Sequence, residues 1–305
     1  KTGYSKEFAG AVESSASVGG QLLPPIMGAA AFIMAEMLGV EYSSIVVWAA
    51  VPALLYYLGI MIQIQLRASK DGLVGLPKDK LPKIGAVVKD KGHLFLPILF
   101  LLYMLFFSGR TVINSAFLSI IVTIIVSQLK ASTRMSFKDV VDSLADGAKQ
   151  TVSVAIACAC VGIIIGVSSK TGFGLTIANT IISIGEQSLL FTLIFTMITC
   201  MILGMGLPSI PAYIITATIA APALAELGIP PSAAHMFSFY FAMFANITPP
   251  VALAAFAAAG LSGGDPMKTG VQSVKLSIAG FIVPFMFVYS PKLMLIDTTL
   301  LESVW

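Results

Sequence analysis

The chain runs to 305 residues, 57% hydrophobic and only 11% charged, with a mean hydropathy of +0.93. That charge is less than half the roughly 25% of a soluble domain, which excludes a soluble enzyme or a disordered segment. A net charge of +3 is too small to suggest nucleic acid, and an all-α polytopic membrane protein is expected.

A spanning helix needs about 20 largely apolar residues. In chain order the candidates are 8–38, 43–66, 93–107, 111–129, 151–168, 188–205, 210–227, 233–262 and 274–290. The first is interrupted by Pro24-Pro25 and the eighth by Pro249-Pro250. Between 168 and 188 a stretch marked by glycine and lysine reads as interfacial or re-entrant. Pro52, Pro97 and Pro284 are ordinary in membrane helices. Cys158, Cys160 and Cys200 lie in apolar stretches and read as small buried thiols, with no metal-like spacing. The chain opens at Lys1 with neither methionine nor signal peptide, and so reads as an excerpt of something longer.

Basic residues set an orientation. Arg67, Lys70, Lys78, Lys80, Lys83, Lys89 and Lys91 follow the second segment, and Lys130, Arg134, Lys138 and Lys149 follow the fourth. The latter group lies along SFKDVVDSLADGAKQ, which reads as a surface amphipathic helix. With these loops cytoplasmic, Lys1, Lys6, Lys268 and Lys275 also fall inside. Only Arg110, Lys170 and Lys292 lie outside.

Residues 3–34 and 228–259 align without a gap at an offset of 225. Gly3 matches Gly228, Pro24-Pro25 match Pro249-Pro250, Ala29-Ala30 match Ala254-Ala255, and Gln21 faces Asn246. By the span count the two copies run in opposite directions. Such an inverted repeat marks secondary transporters, whose sites lie at paired helix breaks near the midplane.

Proline lacks an N–H, clashes with the carbonyl four residues back and pushes its preceding residue out of the helical region. Two in succession are expected to release carbonyls near Gly20-Gln21 and Ala245-Asn246, and Gly19-Gly20 loosens the first break further. At membrane depth such carbonyls need a partner or a cation. Gln21, Asn246 and Thr248 add side-chain oxygens. Segments 188–205 and 210–227 are joined only by GMGLPSIP, which reads as a hairpin that enters the membrane and returns. Ser209 is placed to cap its second helix, with Pro211 tolerated in the first turn.

No Asp, Glu, Lys or Arg lies near either break. Glu13 and Glu36 are about 16–18 Å along a helix from Pro24, and His235 sits near a helix start as a capping or interface residue. A proton carrier wants an ionisable group at depth. Hydroxyls, amides and carbonyls suit sodium, a hard cation.

The stretches GGQLLPPIMGAAAFIMAE, GMGLPSIPAYIITATIAAPAL and NITPPVALAAFAAAGLSGGDPMKTG resemble the large membrane subunit of tripartite ATP-independent periplasmic (TRAP) transporters. They are most similar to fused permeases that work with TAXI-type solute-binding proteins. The resemblance runs over nearly the whole chain. It implies a sodium-driven elevator in the bacterial inner membrane, fed with an organic acid or amino acid by a periplasmic binding protein. It also implies one sodium site between the hairpin tip, with Gly206, Pro208 and Ser209, and the break with Asn246 and Thr248. A second would use Ser17, Gly19, Gly20 and Gln21 with a first hairpin that precedes Lys1 in the family. Ser209, Thr248 and Gln21 are placed as substrate contacts. The remaining N-terminal part of the permease, with the small-subunit helices, is an expected partner, and this polypeptide alone is expected not to transport.

The family pattern divides the chain into a first-repeat broken helix (1–39) and scaffold helices with amphipathic segments (40–150). A second-repeat hairpin and broken helix (151–264) and a C-terminal scaffold helix (265–305) follow. A divalent-anion sodium symporter, needing no binding protein, is the alternative. An intramembrane enzyme would need a nucleophile with its base, or paired carboxylates, at depth. Ser209 has no His or Lys near it in sequence.

Overall fold

The Ser5 hydroxyl accepts the Phe8 N–H at 3.3 Å and so opens the first helix, α1 (Lys6–Gly20). A computed structural model describes residues 3–73, 84–185 and 188–296, and among these there is no strand. After a break at 21–28 come α2 (Ala29–Leu38) and α3 (Tyr42–Lys70). Next are α4 (Ile84–Lys91), a 3-10 turn (Gly92–Phe95), α5 (Leu96–Phe107), α6 (Val112–Ser127) and α7 (Phe137–Thr171). The chain continues through α8 (Phe173–Gly185), α9 (Leu189–Gly204), α10 (Ser209–Glu226) and α11 (Pro231–Phe244). A second break leads to α12 (Leu253–Ser262), α13 (Pro266–Leu276), α14 (Ile278–Tyr289) and a last 3-10 turn (Pro291–Met294). Lys1, Lys78, Lys80 and Lys83, which the orientation argument uses, lie outside the described residues.

Two compact units are present. The smaller, within Val74–Ala155, is held by the packing of α5 on α6. Along α6, Ser115, Ser119 and Thr123 each donate to the carbonyl four residues back, at 3.0, 2.7 and 2.7 Å. In this way their hydroxyls are satisfied within the helix.

The larger unit joins Gly3–Leu73 to the chain from Ile156 onward. Its centre is α11, where Phe237, Phe239, Tyr240, Phe241 and Phe244 are fully buried. Phe244 stacks on Phe281 and Phe241 meets the same ring at a tilt, while Tyr240 meets Phe287 edge-on; Phe281 and Phe287 are both on α14. Around it lie α9, α10 and α2. The two broken helices run antiparallel. Gly264, just past α12, lies against Lys6 and Glu7 at the start of α1, and Gly10 lies against Ser262 and the Ala258 carbonyl. Meanwhile α2 packs against α11.

Among the described residues four helical stretches are long and apolar enough to cross a membrane: Tyr42–Lys70, Val87–Phe107, Phe137–Ser168 and Ser209–Glu226. The pair α13 and α14, bent by 41°, would make a fifth. The 15 residues of α1 reach only about 22 Å, short of the roughly 30 Å hydrocarbon core. A crossing there needs both halves of the broken helix.

Some expectations are corrected. The surface helix and the span at 151–168 form one 35-residue helix, α7. No proline interrupts it, and Ser136 and Asp139 cap its start reciprocally, with bonds of 2.7–3.2 Å. The stretch after 168, expected to be interfacial or re-entrant, is not corrected: it turns at Gly172 (φ +72°) into the 13-residue α8, packed on α9 and α10. The last apolar segment is preceded by α13, whose Asp265 cap accepts the Lys268 N–H at 2.8 Å. Of the three thiols, only Cys200 is buried, whereas Cys160 is exposed.

Candidate functional site

Each break closes on itself through backbone bonds. In the first, the Gln21 N–H donates to the Val18 carbonyl at 3.1 Å, and the Gly19 carbonyl accepts Leu22 and Leu23 at 2.9 and 3.0 Å. The Gln21 carbonyl then accepts the Gly28 N–H at 2.9 Å, from across the break. The second repeats the pattern. Asn246 donates to Met243 at 3.1 Å, Ile247 donates to Phe244 at 3.1 Å, and the Asn246 carbonyl accepts Ala254 at 2.9 Å. Both Pro-Pro bonds, Pro24-Pro25 and Pro249-Pro250, are cis.

The expectation of free carbonyls near Gly20-Gln21 and Ala245-Asn246 is therefore corrected at Gln21 and Asn246. Each has one lone pair occupied by an N–H across the loop, because the chain turns tightly enough to return to it. A carbonyl carries two lone pairs, so one on each remains for a further donor or a cation.

The side chains differ between the copies. Gln21 Oε1 is buried with no hydrogen-bond partner. It sits 3.3 Å from where a methyl on Gly28 would be. Such an orphaned acceptor costs about 1–3 kcal/mol when nothing fills it, so it fits a bound cation. In the second break, the Thr248 hydroxyl donates to the Phe244 carbonyl at 2.8 Å, which leaves its oxygen lone pairs open. Asn246 is 8% exposed. Among the described residues, no cluster of three or more His, Cys, Asp or Glu could hold a metal. The oxygens available are neutral, a donor set suited to a hard monovalent cation.

The hairpin tip reaches the second break. Gly204 packs against Ala242 and Ala245, and a methyl at Gly206 would lie 3.4 Å from Val251. Gly206 has φ +74°, in the left-handed region that glycine enters without cost. Ser209 does not cap α10. The extended backbone of Pro208 (ψ 158°) makes proline the cap, so Ser209 becomes the first helical residue, with no side-chain capping bond. Pro211 does fall in the first turn. In the first copy Ser17 and Gly20 are exposed, while Gly19 is buried against the rings of Tyr56 and Tyr57. Hence Ser17, Gly19, Gly20 and Gln21 share one helix end without converging on one point. His235 is joined to the buried Tyr213, whose hydroxyl lies 2.7 Å from Nδ1.

Sequence reasoning missed the hydroxyl web behind the first break. The Tyr56 hydroxyl donates to the Ser15 carbonyl at 2.8 Å and lies 3.1 Å from the Ser277 hydroxyl. Ser277 Oγ lies 2.9 Å from Ser15 Oγ, and Ser14 Oγ lies 2.8 Å from Ser273 Oγ. Tyr57 donates to the Ala16 carbonyl at 2.7 Å, and the Tyr42 hydroxyl lies 2.9 and 2.8 Å from the Pro25 and Ile26 carbonyls. These bonds tie α1 to α3 and α13. The available signal was tyrosine and serine within otherwise apolar helices.

A family model described as the tripartite ATP-independent periplasmic transporter, DctM component, matches residues 1–300. No curated relative matches the chain.

Proposed function

Because the chain belongs to the DctM-component family of tripartite ATP-independent periplasmic transporters, we propose that it is the permease part of a sodium-coupled, binding-protein-dependent importer of a small organic acid or amino acid. The family makes it an integral inner-membrane component of a secondary transporter, partnered by a solute-binding protein and a small membrane subunit. Sodium as co-substrate, a TAXI-type binding protein and elevator movement are our own finer reading.

The observation that carries it is the meeting of the hairpin tip with the second break, Gly206 against Val251, in two stretches whose side chains carry no fixed charge. Asn246 and Thr248, with the tip backbone at Gly206–Ser209, would hold one sodium ion. The orphaned Gln21 Oε1, with the end of α1, would contribute to a second. Sodium there would neutralise the field of these oxygens and favour a bound organic anion. That makes substrate and ion entry mutually dependent.

The test is uptake into proteoliposomes that hold the complete permease with its partner subunit and binding protein, across an imposed sodium gradient. Uptake that follows sodium and needs the binding protein supports the reading. Uptake that follows the pH gradient with no sodium present removes sodium coupling, and uptake without binding protein favours the divalent-anion symporter type.

A further inference from the structure

Away from both breaks, the last turn of α3 and the last turns of α13 form a cleft of about 260 Å³ lined by Gln63, Leu66, Arg67, Lys70, Gln272 and Lys275. Three cations from two helices converge there, together with two carboxamides. Arg67 is held in place: its guanidinium lies 5.5 Å from the centre of the Phe8 ring, and Nε pairs with Asp71 at 2.6 Å. Gln63 Nε2 donates to the Leu276 carbonyl at 2.8 Å, which fixes one wall. Lys70 and Lys275 are exposed and have no ion-pair partner among the described residues. In an adjoining cleft that shares Gln272, Glu7 and Lys268 offset each other.

The cleft ends an apolar stripe. On α3, Leu54, Leu58, Met61, Ile62 and Leu66 are 51–65% exposed. Their spacing puts them on one helix face, leading along the spanning helix to Leu66 in the cleft wall. A stripe of this kind faces acyl chains, and a cationic cleft at its end sits at headgroup depth.

We propose that this cleft binds the phosphate headgroup of an anionic phospholipid, with the acyl chains laid along the exposed face of α3. Charge complementarity selects the ligand. Among the described residues only one of the cleft's three cations is neutralised, so a zwitterionic headgroup leaves the surplus positive charge untouched and an anionic one reduces it. Basic pockets between membrane helices recognise headgroups in this way. The attached chains distinguish this ligand from a free anion, because Leu66 and the stripe add apolar contact that a soluble phosphate or carboxylate cannot use.

The full chain, purified in detergent, is offered equal amounts of dioleoyl phosphatidylglycerol and dioleoyl phosphatidylcholine, and retained lipid is read by native mass spectrometry. Phosphatidylglycerol is expected to dominate. The preference should fall about thirtyfold in K70Q/K275Q, from about fivefold per surface cation, and should survive in K70R/K275R. Equal retention of the two lipids by the unaltered chain overturns the proposal, and that measurement needs no variant to fold. An unchanged preference in K70Q/K275Q overturns it too. So does displacement of the lipid by millimolar succinate or inorganic phosphate, which would make the cleft a site for free anions.

Discussion

Tyr56 holds the first broken helix to its support through a single oxygen. That oxygen serves the Ser15 carbonyl and meets Ser277 Oγ, in a place with no access to water. Tyr56→Phe keeps the ring against Phe244 and removes only those bonds. An orphaned buried partner costs about 1–3 kcal/mol, so the midpoint of thermal unfolding in detergent should fall. An unchanged midpoint would mean that the serines re-pair with one another. Asn246→Ala tests the proposed ion site at the same scale. Its backbone bonds to Met243 and Ala254 do not involve the side chain, so folding should be spared while the sodium concentration for half-maximal uptake rises. Unaltered sodium dependence would remove Asn246 from the site. Ser209 makes no capping bond, which leaves its hydroxyl available for the proposed substrate contact. Ser209→Ala should accordingly raise the substrate requirement more than it lowers stability, and uptake kinetics decide.

At the scale of elements, the hairpin tip depends on a backbone that only glycine adopts freely. Gly206→Val adds a β-branched side chain at φ +74°, facing Val251. The left-handed conformation alone costs roughly 1–2 kcal/mol for a residue with a Cβ. Hydrogen exchange at 205–212 should quicken and sodium-driven uptake should fall, whereas Gly39→Val, also at positive φ but with open space around it, should leave uptake intact. Much of this layer was legible in the sequence: the two Pro-Pro breaks, the short link between α9 and α10, and the antiparallel sense of the repeats. What escaped has physical reasons. The returning N–H bonds to Gln21 and Asn246 depend on how tightly each break curls, and no residue type announces that. Ser209 looked like a cap by type, but the extended geometry at Pro208 starts the helix one residue sooner. The Asp265-Pro266 start of α13 was readable, as a capping side chain followed by proline at the first helical position, but the more apolar run beyond it drew the boundary later. The Tyr56 web could not be read, because its members lie more than 200 residues apart for Ser15 and Ser277.

For the whole molecule, the inverted relation of the two broken helices carries the strongest consequence. If α1 begins beside the end of α12, as the contacts of Gly264 with Lys6 and Glu7 place it, then α1 and α11 enter the membrane from opposite faces. Lys6 and Pro231 are equivalent under the 225-residue offset, and both are exposed. Single cysteines at Lys6 and Pro231, each in a chain whose Cys158, Cys160 and Cys200 are replaced by serine, report the two faces separately. A membrane-impermeant maleimide should label one in right-side-out vesicles and the other in inside-out vesicles. A basic-inside orientation puts Lys6 on the inner face. Two parallel copies would label from one side. In that case the two breaks would no longer face one another from opposite sides. Alternating access needs that opposition, since each break must be reachable from one face while its counterpart closes the other.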